Sequence, residues 1–312
     1  MTKYTLHKIS FQLKNGVEVL FQGDDQVLHV LNDYQKIFHL SKLPALAPSD
    51  RYTITLKNQP DCNKDYNLTA YHFDLIRNKS IEITYDFNNE DFEKYALMLT
   101  IFSSLLGSVA QQFGGGLMHA ALGELNGKGF LLAAPGGTGK TTASSRIPAP
   151  FISHCDDTTL LVRDNEGNYW AHPFPTWSRF YCGGAGGSWK FDHVLLLKSI
   201  FYLSQSETDS ITALNHVEKI SRCVASFEQS SRMLARNAVS KDKINPKGIG
   251  SEIHKSEGKN WFAIGNDPNQ DVCREIRKQW FENTLIISKH ITADKLNLSL
   301  TGNFWELIKT TI

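Results

Sequence analysis

The stretch FLLAAPGGTGKTTASSRIPAPFISHCDD, residues 130–157, leaves little freedom in how it folds. The apolar FLLAA reads as a strand, and it runs straight into a loop that holds Gly136, Gly137 and Gly139. Glycines here remove the side chains that would keep successive backbone N–H groups from converging on an anion. Lys140 and Thr141 follow at once, on a helix that starts near Gly139 and is cut short by Pro148. The spacing fits the phosphate-loop template G-x-x-x-x-G-K-[ST] except at its first position, where Ala134 replaces glycine. Pro135, Gly136, Gly137, Thr138, Gly139, Lys140, Thr141 and Thr142 are therefore the expected nucleotide-binding residues. Lys140 supplies a cation for the β- and γ-phosphates, and the Thr141 hydroxyl suits Mg²⁺.

A second short strand, PFISHC, ends in Asp156 and Asp157. It is expected beside the loop strand, so that both aspartates open into the crevice at the carboxyl ends of the strands. Asp156 or Asp157 would then hold Mg²⁺ while the other accepts a proton from an attacking hydroxyl, with Thr141 and Asp156 the expected metal ligands. His119 stands at the start of the preceding strand, either as a structural residue or as a third member of the site. Downstream, Arg179 suits stabilisation of transferred charge and equally suits the surface. Gly183–Gly187 reads as a lid or as a hairpin turn. Trp177 and Trp189 read as core or rim aromatics before adenine stackers, and His172 and His193 as structural.

The rest of the chain bounds the class. Its 312 residues carry 33 basic and 32 acidic side chains, a net charge of +1, which excludes a broad nucleic-acid or anionic-membrane surface. Cys62, Cys155, Cys182, Cys223 and Cys273 form no CxxC pair, as expected of reduced thiols rather than a disulfide framework or a zinc site. The N-terminus lacks the apolar core of a secretion signal, and the most apolar stretch, YALMLTIFSSLLGSVA, is shorter than a membrane span. A cytoplasmic protein is expected. EVLFQG at 18–23 resembles a viral protease site but lies in an alternating strand pattern, so it is read as native strand.

Residues 1–88 read as β: YTLHKISFQL, VEVLFQ, VLHVLN, RYTITL and SIEITYDF, with turns at Asn15-Gly16 and Gly23-Asp24. From Asp91 to Phe113 the apolar spacing becomes that of a buried helical face. LMHAALGEL, GKGFLLAAP, PFISHC and HVLLLKSIFYL follow as strands; HVEKISRCVASFEQSSRMLA and DVCREIRKQWFEN read as helices, then KLNLSLT as a late strand. Residues 240–260 read as a loop.

A histidine, a β-hairpin, the glycine loop and a strand ending in Asp-Asp, in MHAALGELNGKGFLLAAPGGTGKTT and FISHCDDTTLL, resemble the HPr kinase/phosphorylase catalytic domain and its smaller relatives. Among those relatives, proteins of peptide-maturation cassettes of the SynChlorMet type are the most similar in layout. The resemblance is densest over residues 117–161 and continues more weakly through AHPFPTW, LSQSETDSITAL and LTGNFWELI. It implies an α/β phosphoenolpyruvate carboxykinase-like P-loop core (residues 114–312), here with an N-terminal β-rich region (residues 1–113) and a helical C-terminal part, in one continuous unit. It further implies an ATP- and Mg²⁺-dependent kinase acting on a serine-type hydroxyl of a peptide or protein, with His119, Asp156, Asp157 and Arg179 as its catalytic residues. Free serine is the alternative acceptor, and a non-catalytic nucleotide-binding sensor is the alternative class. A homo-oligomer is compatible with this reading. The chain departs from the pattern at Ala134, at Pro148, and in lacking the long glycine-rich signature of the bifunctional enzymes.

Overall fold

The computed structural model describes residues 5–40, 48–60, 68–88, 92–175, 189–239 and 270–312. The chain opens with the antiparallel pair β1 (His7–Gln12) and β2 (Val17–Gly23), whose turn holds Gly16 at φ 85°. EVLFQG thus lies within β2, as its alternation predicts. After β2 come α1 (Leu28–Ile37), β3 (Asp50–Asn58), α2 (Leu68–Asn78) and β4 (Ser80–Tyr85), in a four-stranded sheet ordered β1-β2-β3-β4. The β2–β3 and β3–β4 pairs are parallel, each joined by a crossover helix.

This corrects the β-rich reading of the N-terminal region: the unit is mixed α/β. VLHVLN is not a strand but the start of α1. Val27, Val30, Leu31, Tyr34 and Ile37 are all buried, a helical period that shows only when the window reaches past Asn32. The α2 helix went unread because loop-like NQPDCNKD precedes it and its described core anchor is Leu75.

The expected long helix is α3 (Phe92–Gln112), and of its expected buried face Phe102, Leu106 and Val109 are packed fully out of water. It leads into a nine-stranded sheet. In chain order this holds β5 (Gly116–Met118), β6 (Ala120–Leu125), β7 (Lys128–Ala133), β8 (Ile152–Cys155), β9 (Thr159–Arg163), β10 (Tyr169–Pro173), β11 (Leu195–Gln205), β12 (Ser210–Ala213) and β13 (Thr292–Leu298). The strand order is β5-β9-β10-β11-β7-β6-β8, with β13 on β11 and β12 on β13. Because β5 and β6 are one run broken at His119 yet stand near opposite ends of this order, the sheet must curl until its ends approach. Thr159 Oγ1 donates to Ala120 O across that closure at 2.9 Å.

Helix α4 (Lys140–Arg146) follows β7, while α5 (His216–Val239), α6 (Gln270–His290) and α7 (Phe304–Thr311) follow the later strands. The unbroken apolar run of β7 is explained by burial on both faces. Phe130, Leu132 and Ala134 face a cluster with Ala143, Phe151, Phe201 and Phe304, whereas Leu131 and Ala133 face the main core. That main core also contains Phe11, Phe21 and Tyr34 of the N-terminal unit, so both sheets share it. No helix among the described residues is long and apolar enough to cross a membrane.

Candidate functional site

The site is assembled by strand register. Asn126 (φ 51°) and Gly127 (φ 78°) form the two-residue turn between β6 and β7, the left-handed pair that Asn-Gly accommodates best. That turn fixes Ala120 opposite Ala133, so His119 stands against Ala134 where the glycine loop begins. On the other side of β6, β8 pairs Cys155 with Leu122, and the chain beyond Cys155 carries Asp156 and Asp157 toward His119. The sequence placed β8 next to β7. The structure puts antiparallel β6 between them, which keeps β7 and β8 pointing the same way and makes His119 the link between loop and aspartates.

His119 is held by its backbone. Its N–H donates to Ser226 O at 3.2 Å and its carbonyl accepts from Ser226 Oγ at 3.0 Å, while Ser230 Oγ donates to Leu117 O at 2.6 Å. These α5 serines were missed by the sequence reading, since a serine on a helix carries no local signal of a partner more than a hundred residues away.

The loop, Ala134 to Gly139, is open at Pro135, Gly136 and Gly137 and closes on α4 through Gly139 at φ 102°. Gln205 Nε2 reaches Thr138 O at 3.5 Å, and the Gln229 amide lies close to Gly136. Lys140, the first residue of α4, is only 5% exposed. Its ammonium donates to Ala134 O at 2.8 Å and to His119 Nε2 at 2.7 Å. An ammonium can only donate, so Nε2 is the acceptor and the imidazole is neutral with its proton on Nδ1. Nδ1 completes no hydrogen bond of good geometry; Asp157 Oδ1 stands 3.4 Å from it. Thr141 and Thr142 are exposed on the first turn of α4, and Asp156 is buried.

Electrostatics follow from burial. His119 is pushed down to about 3, first by desolvation and then by the Lys140 charge, with the Asp157 backbone opposing. Asp157 is pushed up to about 6 by burial, with Lys140 pulling it down and Asp156 pushing it further up. Lys140 is lowered by burial, against the pull of Asp157 and Asp156. A cation, a neutral imidazole and two carboxylates thus share one pocket beside exposed loop amides, a set able to bind an anion and to take up a proton. Asp156, Asp157 and the Thr141 hydroxyl are oxygen donors of the kind Mg²⁺ takes.

The structure therefore brings His119, Lys140, Asp156 and Asp157 together at the end of the loop. Arg179, Trp177 and Gly183–Gly187 lie outside the described residues, as does the 240–260 loop. Trp189 is a core residue whose N–H donates to Ile37 O at 2.8 Å. His172 is fully buried, with Nδ1 at 3.1 Å from Phe191 O. His193, read as structural, meets Glu124 and His154 in a separate cluster.

Fold and site define a mixed α/β protein with a glycine-rich lysine loop facing a histidine and paired aspartates. The sequence profile of the SynChlorMet cassette protein ScmC family matches residues 85–253, more than half of the chain, and the protein belongs to that family. No curated protein matches it.

Proposed function

We propose that the chain is an ATP-dependent kinase on a phosphoenolpyruvate carboxykinase-like P-loop core, transferring the γ-phosphate to a serine-type hydroxyl on a peptide or protein. The observation that carries this reading is His119 standing between Lys140 at 2.7 Å and Asp157 at 3.4 Å at the end of the glycine loop. The order of parts, histidine, hairpin, glycine loop and Asp-Asp strand, supports it as well.

In this reading the loop amides of residues 135–139 and Lys140 bind the phosphates. Lys140 is now held by neutral acceptors, Ala134 O, His119 Nε2 and, at 3.5 Å, Pro135 O, which phosphate oxygens outcompete because they add a full opposite charge to the same ammonium. Thr141 and Asp156 would hold Mg²⁺, which when bound supplies positive charge for the phosphoryl oxygens. Asp157 takes the proton of the acceptor hydroxyl. A carboxyl near 6 is ionised at neutral pH yet more basic than an ordinary aspartate, as a general base requires. His119 positions Lys140 and Asp157 without changing charge itself. The N-terminal α/β unit offers surface beyond the nucleotide crevice, which suits a peptide or protein acceptor better than free serine.

The test is incubation with Mg-ATP and a serine-containing peptide or free serine, with nucleotide products and acceptor mass followed together. Phosphate on the peptide, absent with Lys140→Ala, is the expected result. Tight ATP binding with no transfer to either acceptor would favour a sensor.

A further inference from the structure

Away from the glycine loop, three side chains from separate elements meet on β6. Glu124 Oε2 lies 2.7 Å from His154 Nε2 of β8 and 2.9 Å from His193 Nε2, in the segment just before β11. The two rings stack with centroids 4.5 Å apart and 27° between planes, so both Nε2 atoms aim at one point. All three donor atoms lie within 4.8 Å of one another. The glutamate and His154 side chains are each 13% exposed, while His193 is 43% exposed and opens the cluster to solvent.

We propose that Glu124, His154 and His193 form a binding site for a borderline divalent transition metal, with Zn²⁺ as its representative. Two imidazole nitrogens and one carboxylate oxygen are a zinc donor set, whereas Mg²⁺ and Ca²⁺ prefer all-oxygen surroundings. Donors held tetrahedrally at zinc bond lengths stand about 3.3 Å apart, so the two Glu124 distances of 2.7 and 2.9 Å need only open by roughly half an ångström, and the two imidazole nitrogens already lie within 4.8 Å of each other. The remaining position faces solvent beside His193. At strand rise, Glu124 is about 13 Å along β6 from Ala120, so this site is independent of the phosphoryl-transfer reading. The ion would tie β8, which pairs with β6 alone among the described strands, to β6 and to the segment entering β11. It thereby braces the strand that delivers Asp156 and Asp157.

The test is titration of the full chain, stripped of metal by dialysis, with Zn²⁺ and with Co²⁺ as a spectroscopic stand-in. About one equivalent per chain is expected, with Co²⁺ d–d bands of a nitrogen and oxygen ligand set and no thiolate charge-transfer band. His154→Asn and His193→Asn should each abolish that equivalent and the metal-dependent rise in Tm, while Asp157→Asn leaves both intact. His193 is half-exposed, so its variant keeps the core, and the Co²⁺ spectrum of the unaltered protein needs no variant at all. Absence of binding to the unaltered protein, or binding unchanged in both histidine variants, would overturn the proposal. So would binding lost only in Asp157→Asn.

Discussion

Burying Lys140 at the root of a solvent-open loop strips the ammonium of water and leaves it with Ala134 O, His119 Nε2 and a longer contact to Pro135 O. The same burial sets opposite pH dependences on its two neighbours. Asp157 titrates near 6 when folded against about 3.8 unfolded, so the folded state binds more protons in between and stability falls as pH rises through that window. The full penalty, on the order of 3 kcal/mol, is present above pH 6. His119 works the other way: its folded value near 3 lies below the ordinary 6.5, so its contribution is complete above 6.5 and is lost as pH falls. The two offset each other between pH 4 and 6. Denaturant unfolding across that range should show stability rising more steeply with pH in Asp157→Asn, and falling with pH in His119→Gln.

At the scale of elements, the loop depends on Gly139, whose φ of 102° lies where an L side chain is strained. Gly139→Ala should cost about 1–3 kcal/mol in unfolding free energy and weaken Mg-ATP binding, measured by calorimetry. In β6, a Cβ at Gly123 would sit 2.3 Å from the Phe130 ring. Gly123→Ala should therefore destabilise by about 1–3 kcal/mol and, by displacing β6, slow transfer. What the sequence disclosed follows the same division. The strand–loop–helix over 130–146, α3, α5 and α6 were legible, because each is specified by local period or by glycine, lysine and hydroxyl in fixed spacing. The α1 helix was not, because a six-residue window cannot separate its period from a strand's. Nor was the placement of β6 between β7 and β8, since pairing partners are chosen by tertiary packing and not by the strands themselves. Of the site, Lys140 and the aspartates were readable from spacing. The bridge through His119 and its support by Ser226 needed the register, and the Glu124–His154–His193 cluster joins positions 30 and 39 residues apart with no motif between them.

Across the whole molecule, aromatic rings join the two sheets. Phe11 and Phe38 of the N-terminal unit meet Phe191 and Phe174 with centroids 5.2 and 5.1 Å apart. The Phe191 N–H also donates to Phe38 O at 3.1 Å, and the Lys14 N–H reaches His172 Nε2 at 3.4 Å. Removal of the fully buried Phe191 ring should cost about 3–5 kcal/mol. Hydrogen exchange on Phe191→Ala should show protection in β2 and in β7 falling together; loss confined to one sheet would mean that the units are stabilised separately. This shared core joins the N-terminal unit to the sheet that carries the glycine loop. The most direct measurement of the proposed chemistry sets Mg-ATP binding beside phosphate transfer in Asp157→Asn. Binding within a few-fold of the unaltered protein, with transfer to the serine acceptor abolished, is the expected result. Transfer that survives the substitution would contradict the assignment of Asp157 as the base.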